Sequence, residues 1–231
     1  MRLCIIPARG GSKRIPRKNI RPFCGKPMIA WSIQAALASG LFDHVIVSTE
    51  DEEIAAVARE HGATTPFMRP PELADDHAGT GVVVTHGIRW FMEQGQPVEL
   101  VCCLYATAPF VQAQDLIQAN AEREASDAAF VFTATSFGFP ILRAVTYNSQ
   151  GKLGPMFPEH IAKRSQDLPE AFHDAGQFYL GDARYWLENV PMFGPRSRIY
   201  LLPRYRVQDI DTPEDWTRAE WLFRAMQESR T

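Results

Sequence analysis

Leu3-Cys4-Ile5-Ile6-Pro7-Ala8-Arg9-Gly10-Gly11-Ser12-Lys13-Arg14-Ile15-Pro16-Arg17-Lys18-Asn19 stands near the start of the chain. Its apolar opening, Leu3 to Ile6, reads as a short buried strand. The glycine pair that follows lets the backbone bend sharply and approach a ligand closely. From Arg9 to Arg21 the chain carries six cations, although its formal net charge is -3. A basic loop after a strand, with exposed N–H groups, suits a polyanion such as a nucleoside triphosphate. A charge run of this kind is more often a solvated surface loop; the Gly-Gly pair and the preceding strand favour the cradle. Arg14 and Arg17 are the members read as free to face solvent. The GxxxxGK[ST] spacing of a P-loop is absent, and so is GxGxxG.

Outward from this loop, strands and helices alternate. Further strands are expected at His44–Ser48, Leu100–Tyr105, Ala128–Ala134, Gln177–Leu180 and Arg198–Leu202. Helices are expected at Met28–Ala38, Asp51–His61, Gly79–Glu93, Gln112–Glu124 and Trp216–Gln227. Pro27 suits a helix start and Gly40 a helix stop. The alternation implies an α/β fold with a mainly parallel twisted sheet and helices on both faces. Ligands of such sheets bind beyond the carboxyl ends of the strands, where the basic loop lies. From about 137 to 172 the periodicity breaks, with several prolines and mixed charge. A segment that long is usually functional. The expected organisation is one domain over 1–231 with an inserted arm at about 137–172.

Composition sets outer limits. A chain of 231 residues, 45% apolar and 22% charged, fits a globular domain with its own core. No stretch is long and apolar enough to span a membrane, and the apolar run at the N-terminus is too short for a signal peptide. Cys4, Cys24, Cys102 and Cys103 form no CxxC, so reduced thiols in a cytoplasmic protein are expected. The scattered histidines lack HExxH spacing, and no serine sits in a GxSxG elbow. The net charge opposes a nucleic-acid binder.

Asp209-Ile210-Asp211-Thr212-Pro213-Glu214-Asp215 is the second informative stretch. Carboxylates at i and i+2 of an extended segment point to one side and could jointly hold a hard cation such as Mg²⁺. Thr212 with Pro213 reads as a helix N-cap and first residue, and Glu214 and Asp215 as first-turn acids. Arg69-Pro70-Pro71-Glu72-Leu73-Ala74-Asp75-Asp76 is a third marker, or else simply a surface loop shaped by its prolines. Thr80 is expected to cap the helix that follows.

These segments resemble the acylneuraminate cytidylyltransferases, the CMP-sialic acid synthetases. Ala-Arg-Gly-Gly-Ser-Lys-x-Ile-Pro-x-Lys-Asn is similar to the family's first motif, and Arg69 to Asp76 to its Arg-Pro-x-Glu-Leu-Ala-x-Asp. The resemblance implies a homodimeric, Mg²⁺-dependent enzyme of Rossmann-like nucleotidyltransferase fold that joins CMP from CTP to a nine-carbon acidic sugar. It implies nucleotide contacts from Ala8, Arg9, Gly10, Ser12, Lys13 and Lys18, with Asn19 beside the nucleotide and Arg69 at the cytosine. Asp209 and Asp211 match the metal pair. Arg9, Lys13, Lys18 and Asp211 are the expected catalytic groups, the three cations stabilising charge on the leaving pyrophosphate and Asp211 acting as a metal ligand. The arm is expected to pack on a second subunit and cover part of its sugar site.

The sugar side departs from the sialic acid pattern. Tyr105-Ala106-Thr107-Ala108-Pro109-Phe110-Val111 replaces Gln-Pro-Thr-Ser-Pro-Leu-Arg. His173-Asp174-Ala175-Gly176-Gln177-Phe178-Tyr179 has Ala-Gly where relatives have Asn-Gly. Both segments resemble the pseudaminic acid branch. Tyr105, Arg164, Gln166 and Gln177 are the expected sugar contacts; core filling is the competing reading for Tyr105 and Phe110. Sialic or legionaminic acid is the alternative substrate, and a non-catalytic nucleotide-binding module the alternative of another class.

Overall fold

Leu3 and Ile5 of strand β1 (Arg2–Pro7) enter one apolar cluster, and Cys4 and Ile6 enter another. That period of two is what a strand buried on both faces requires. The computed structural model describes residues 1–74 and 79–228. After β1 come a hairpin, β2 (Pro22–Phe23) and β3 (Lys26–Pro27), then α1 (Met28–Ser39), β4 (His44–Ser48) and α2 (Glu52–Glu60). Cys24 and Gly25 both have positive φ in that hairpin turn, the twist that tight hairpins favour. Next are α3 (Thr80–Glu93), β5 (Leu100–Leu104), α4 (Ala113–Glu124) and β6 (Phe130–Ser136). The arm carries β7 (Val145–Tyr147) and β8 (Leu153–Pro155), an antiparallel pair. The chain closes with β9 (Phe172–Asp182), α5 (Ala183–Leu187), β10 (Ser197–Leu201) and α6 (Pro213–Glu228).

The main sheet runs β10-β6-β9-β5-β1-β4. β1 is parallel to β4 and β5, and β10 to β6, while β9 is antiparallel to both its neighbours. This is the mainly parallel α/β sheet the sequence implies, with one reversed strand inside it. Ile29, Ile33, Ala58 and Leu116 from α1, α2 and α4 cover one face. Val84, Ile88 and Phe91 of α3, with Trp186 of α5, cover the other. α6 packs Trp216 and Phe223 against Phe23 at edge-to-face geometry, tying the C-terminal helix to the hairpin.

Local stops follow the sequence. Gly40, at φ 63, ends α1 in the left-handed conformation. Asp51 caps α2 by accepting from the Ile54 amide at 3.0 Å. Thr212 Oγ1 accepts from the Asp215 amide at 3.2 Å, and the Asp215 carboxylate accepts from the Thr212 amide at 2.8 Å. Thr80 begins α3, but its N-cap is Gly79, which corrects the expected capping role. β9 begins five residues before the expected strand, and the short helix α5 carries no sequence signal that distinguishes it from a turn.

Candidate active site

Past the carboxyl ends of β1, β4 and β5 lies a cleft of about 520 Å³. Arg9, Ser12, Lys13, Lys18, Asn19, Arg69, Tyr105 and Asp211, all expected site residues, line it together with Arg14 and Thr80. Ala8 does not line it: its amide donates to the Ser48 carbonyl at 3.0 Å, and its side chain is buried in the core. Gly10 is needed for close approach, since a Cβ there would sit 2.5 Å from Asp51 Oδ2. The Gly10 amide donates to Glu50 Oε1 at 2.7 Å, and the Ser12 amide to the Gly10 carbonyl at 3.0 Å. These two amides shape the loop instead of facing a ligand, which corrects the expectation of a backbone cradle. Asn19 Nδ2 likewise holds the Arg9 carbonyl at 2.8 Å.

The loop is latched on two sides. Arg17, at φ 55, donates both to Asp51 and to Glu53. The Arg17 guanidinium, helped by the Ile54 amide, lowers the Asp51 pKa to about 2. On the other side Lys18 Nζ donates to the Ile210 carbonyl at 2.8 Å and approaches Asp211 Oδ1 at 3.3 Å, while Arg14 pairs with Asp211 at 2.7 Å. Arg14 and Arg17 are therefore both ion-paired and do not simply face solvent. Asp209, two residues before Asp211, does not line the cleft. Desolvation first, and the Asp211 carboxylate second, raise its pKa; Lys18 and Arg14 pull the other way. Two hard oxygen donors that repel one another, one of them already drawing two side-chain cations, fit a divalent cation such as Mg²⁺.

Arg69 is 5% exposed. Its Nε donates to Ser48 Oγ at 3.2 Å, Nη2 donates to the Ser48 carbonyl, and Nη1 reaches the Leu73 carbonyl at 3.5 Å. Burial lowers its pKa and Glu50, 4.0 Å away, opposes that shift. Arg69 is thus a fixed wall of the cleft. Asp75 and Asp76, the end of its motif, lie outside the described residues. Glu50 was not anticipated. Its carboxylate joins the Gly10 amide to the Arg69 fork, a tertiary pairing that no local spacing announces.

A second cavity, about 360 Å³, adjoins the first through shared walls at Thr80 and Tyr105. Their hydroxyls lie 3.4 Å apart. Its other walls are mostly aromatic or apolar, among them Phe130, Tyr179, Trp186 and Phe193, with Asp174 and Asn189 as polar members. No Lys or Arg lines it among the described residues. Of the expected sugar contacts only Tyr105 reaches it. Gln177 is a correction: it is 3% exposed, and its Nε2 donates to the Arg206 carbonyl at 2.7 Å inside the core. Phe110 is core as well. Arg164 and Gln166 sit exposed in the arm, lining neither cavity, and Arg164 binds Asp167 through two hydrogen bonds of 2.7 and 3.0 Å. Asp174 and Tyr179 lie in the quoted His173–Tyr179 segment, yet its alternation gave no means of selecting them over Gln177.

A family model described as Cytidylyltransferase matches residues 3–200. A pseudaminic acid cytidylyltransferase of Campylobacter jejuni is 48% identical over 227 residues, covering 98% of each chain. A CMP-N,N'-diacetyllegionaminic acid synthase of Legionella pneumophila is 31% identical, again over 98% of each. Among solved structures, a CMP:2-keto-3-deoxy-manno-octonic acid synthetase complexed with CTP superposes with a TM-score of 0.69 at 16% identity. The superposition covers 98% of this chain and 100% of that one. At that identity the likeness speaks for the fold alone.

Proposed function

The chain belongs to the cytidylyltransferase family, and from that premise we propose that it transfers CMP from CTP to pseudaminic acid, releasing pyrophosphate. The observation that carries the reading is the pair of adjoining cavities with opposite character. One is lined by cations and suits a triphosphate; the other is apolar and free of Lys and Arg among the described residues. An acidic sugar with N-acyl groups and a methyl end divides the same way, its carboxylate toward the cations and its tail toward Phe193 and Trp186. The 48% identity to a pseudaminic acid cytidylyltransferase supports this acid over its relatives.

In this reading Arg9, Ser12 and Lys13 bind the phosphates, and Arg69 with Asn19 bounds the base and ribose side. Asp209 and Asp211 would hold Mg²⁺, which supplies charge neutralisation on the triphosphate. The anomeric hydroxyl of the acid attacks the α-phosphorus in line. A bond forms between that oxygen and phosphorus, the bond to the bridging oxygen of pyrophosphate breaks, and the hydroxyl proton passes to solvent water. Lys18 and Arg14, released from Asp211, stabilise charge on the departing oxygens. Positioning and electrostatics do most of the work in such a transfer.

The arm supports a homodimer as the working form. Phe139, Tyr147 and Leu153 are 88%, 74% and 70% exposed, an apolar surface that a second copy would cover. Arg164 and Gln166 would then meet the sugar across the interface. The expected mass in solution is twice that of the chain, and a monomer by light scattering at micromolar concentration would contradict this. Four free thiols, three of them buried, favour the cytoplasm.

The reaction is tested by incubating the protein with CTP, Mg²⁺ and pseudaminic, sialic or legionaminic acid, and following pyrophosphate and the CMP conjugate. Product with pseudaminic acid is expected. Product with another acid alone would keep the chemistry and overturn the sugar. No product with any of the three, despite measurable CTP binding, would favour a non-catalytic module.

A further inference from the structure

β6 and β9 pair out of step at one point. Phe132 faces Tyr179, but two residues further along β6, Ala134 faces Asp174, five residues back along β9. β9 therefore holds three residues more than a regular ladder needs. Gly176, at φ 60, supplies the left-handed turn of this bulge. Thr133 Oγ1 accepts from the Phe178 amide at 3.2 Å where the ladder is interrupted.

The consequence is a contact that a regular strand forbids. Residues five apart on a strand face opposite sides, about 17 Å apart along the chain. Here Tyr179 Oη donates directly to Asp174 Oδ2. The Gly176 amide, inside the bulge, donates to Asp174 Oδ1 at 3.0 Å. The bulge thus folds Asp174 back over the wall of the second cavity and fixes its carboxylate with one donor on each oxygen.

Among the described residues Asp174 is the sole carboxylate lining that cavity, and no cation lines it. A carboxylate oxygen accepts more than one hydrogen bond, so capacity remains on both oxygens. Such a group repels the acid's own carboxylate and attracts a donor. The walls around it, Trp186, Met192 and Phe193, offer apolar surface. An acylamino group meets both demands, with an N–H donor and an apolar cap on the same substituent; a hydroxyl meets only the first. Asn189, on the same wall, carries an amide suited to the acyl carbonyl.

We propose that Asp174 is a specificity-determining residue that accepts the N–H of an acylamino group on the acid, and that Tyr179 and the Gly176 bulge hold it in place. This rests on the reading of the second cavity as the acid's site. A site built to bond a substrate N–H discriminates strongly against analogues that lack it.

The test compares wild type, Asp174→Ala and Tyr179→Phe. Each is assayed with a nonulosonic acid bearing two acylamino groups and with one in which a hydroxyl replaces the second. In Asp174→Ala, kcat/KM for the diacylamino acid is expected to fall about tenfold or more, chiefly through KM. The preference between the two acids should collapse while KM for CTP stays within about twofold. Tyr179→Phe, which keeps the ring and removes the anchoring hydroxyl, should shift the preference in the same direction by less. An unchanged preference in Asp174→Ala overturns the inference, as does an equal loss for both acids accompanied by a raised KM for CTP. A wild type inactive with the diacylamino acid but active with the hydroxyl acid overturns the reading of the cavity itself.

Discussion

Asp211→Ala is expected to cut turnover about a thousandfold while leaving the chain folded. The carboxylate lies on the cleft wall, where Arg14 and Lys18 already converge on it at 2.7 and 3.3 Å. Removing it takes away half of the pair suited to a divalent cation and leaves Asp209 alone. Losing a preorganised charge contact to a transferring phosphoryl group costs on the order of 10³ in rate. Stability should change little. Asp211 sits in an irregular segment with its side chain 32% exposed, and Arg14 is 65% exposed. Such ion pairs contribute about 0–1 kcal/mol. The measurements are kcat across a Mg²⁺ titration and the thermal midpoint. Near-normal rates at saturating Mg²⁺ would refute the metal role.

Arg69→Ala is expected to weaken CTP binding about a hundredfold and also to lower stability. The sequence alone suggests only the first effect, because the motif reads as a ligand-facing arginine in a proline-shaped loop. The structure places the guanidinium nine-tenths buried, with three N–H groups holding Ser48 and Leu73. Truncation removes the bonds to Ser48 and Leu73 and leaves Glu50 without its nearby cation, a loss of about 2–4 kcal/mol. Arg69→Lys should rescue little of either, since one ammonium cannot span the positions of a planar fork. Calorimetric titration of CTP beside a melting curve separates the two effects. Unchanged CTP affinity with a lowered midpoint would make Arg69 a structural wall only.

What the sequence revealed and what it hid divide along physical lines. β1, β4 and α1 were legible because their signals are local: the apolar runs Leu3–Ile6 and His44–Ser48, and Pro27 and Gly40 as punctuation. The cleft was legible for a similar reason, since the residues of the basic loop travel together on one segment. Lys18 and Asp211 meet across the whole chain, yet each sat in a motif of its own. The second cavity was mostly hidden. Its walls come from α3, β6, β9, α5 and Tyr105 just past β5, and Asp174 reaches Tyr179 only because β9 bulges. The family resemblance of the His173–Tyr179 segment made Gln177 a candidate, but its side chain turns into the core toward Arg206. Glu50 was hidden as well, because its bonds to the basic loop and proximity to Arg69 exist only after folding.

The central claim is that the acid's own anomeric hydroxyl attacks the α-phosphorus of CTP. Its most direct test uses pseudaminic acid carrying ¹⁸O at that hydroxyl, with ³¹P spectra recorded on the product. The account predicts the label in the bridge between sugar and phosphorus, and none in pyrophosphate or water. An unlabelled bridge, with the heavy oxygen lost from the sugar, would mean that the carbon–oxygen bond breaks instead and would contradict it.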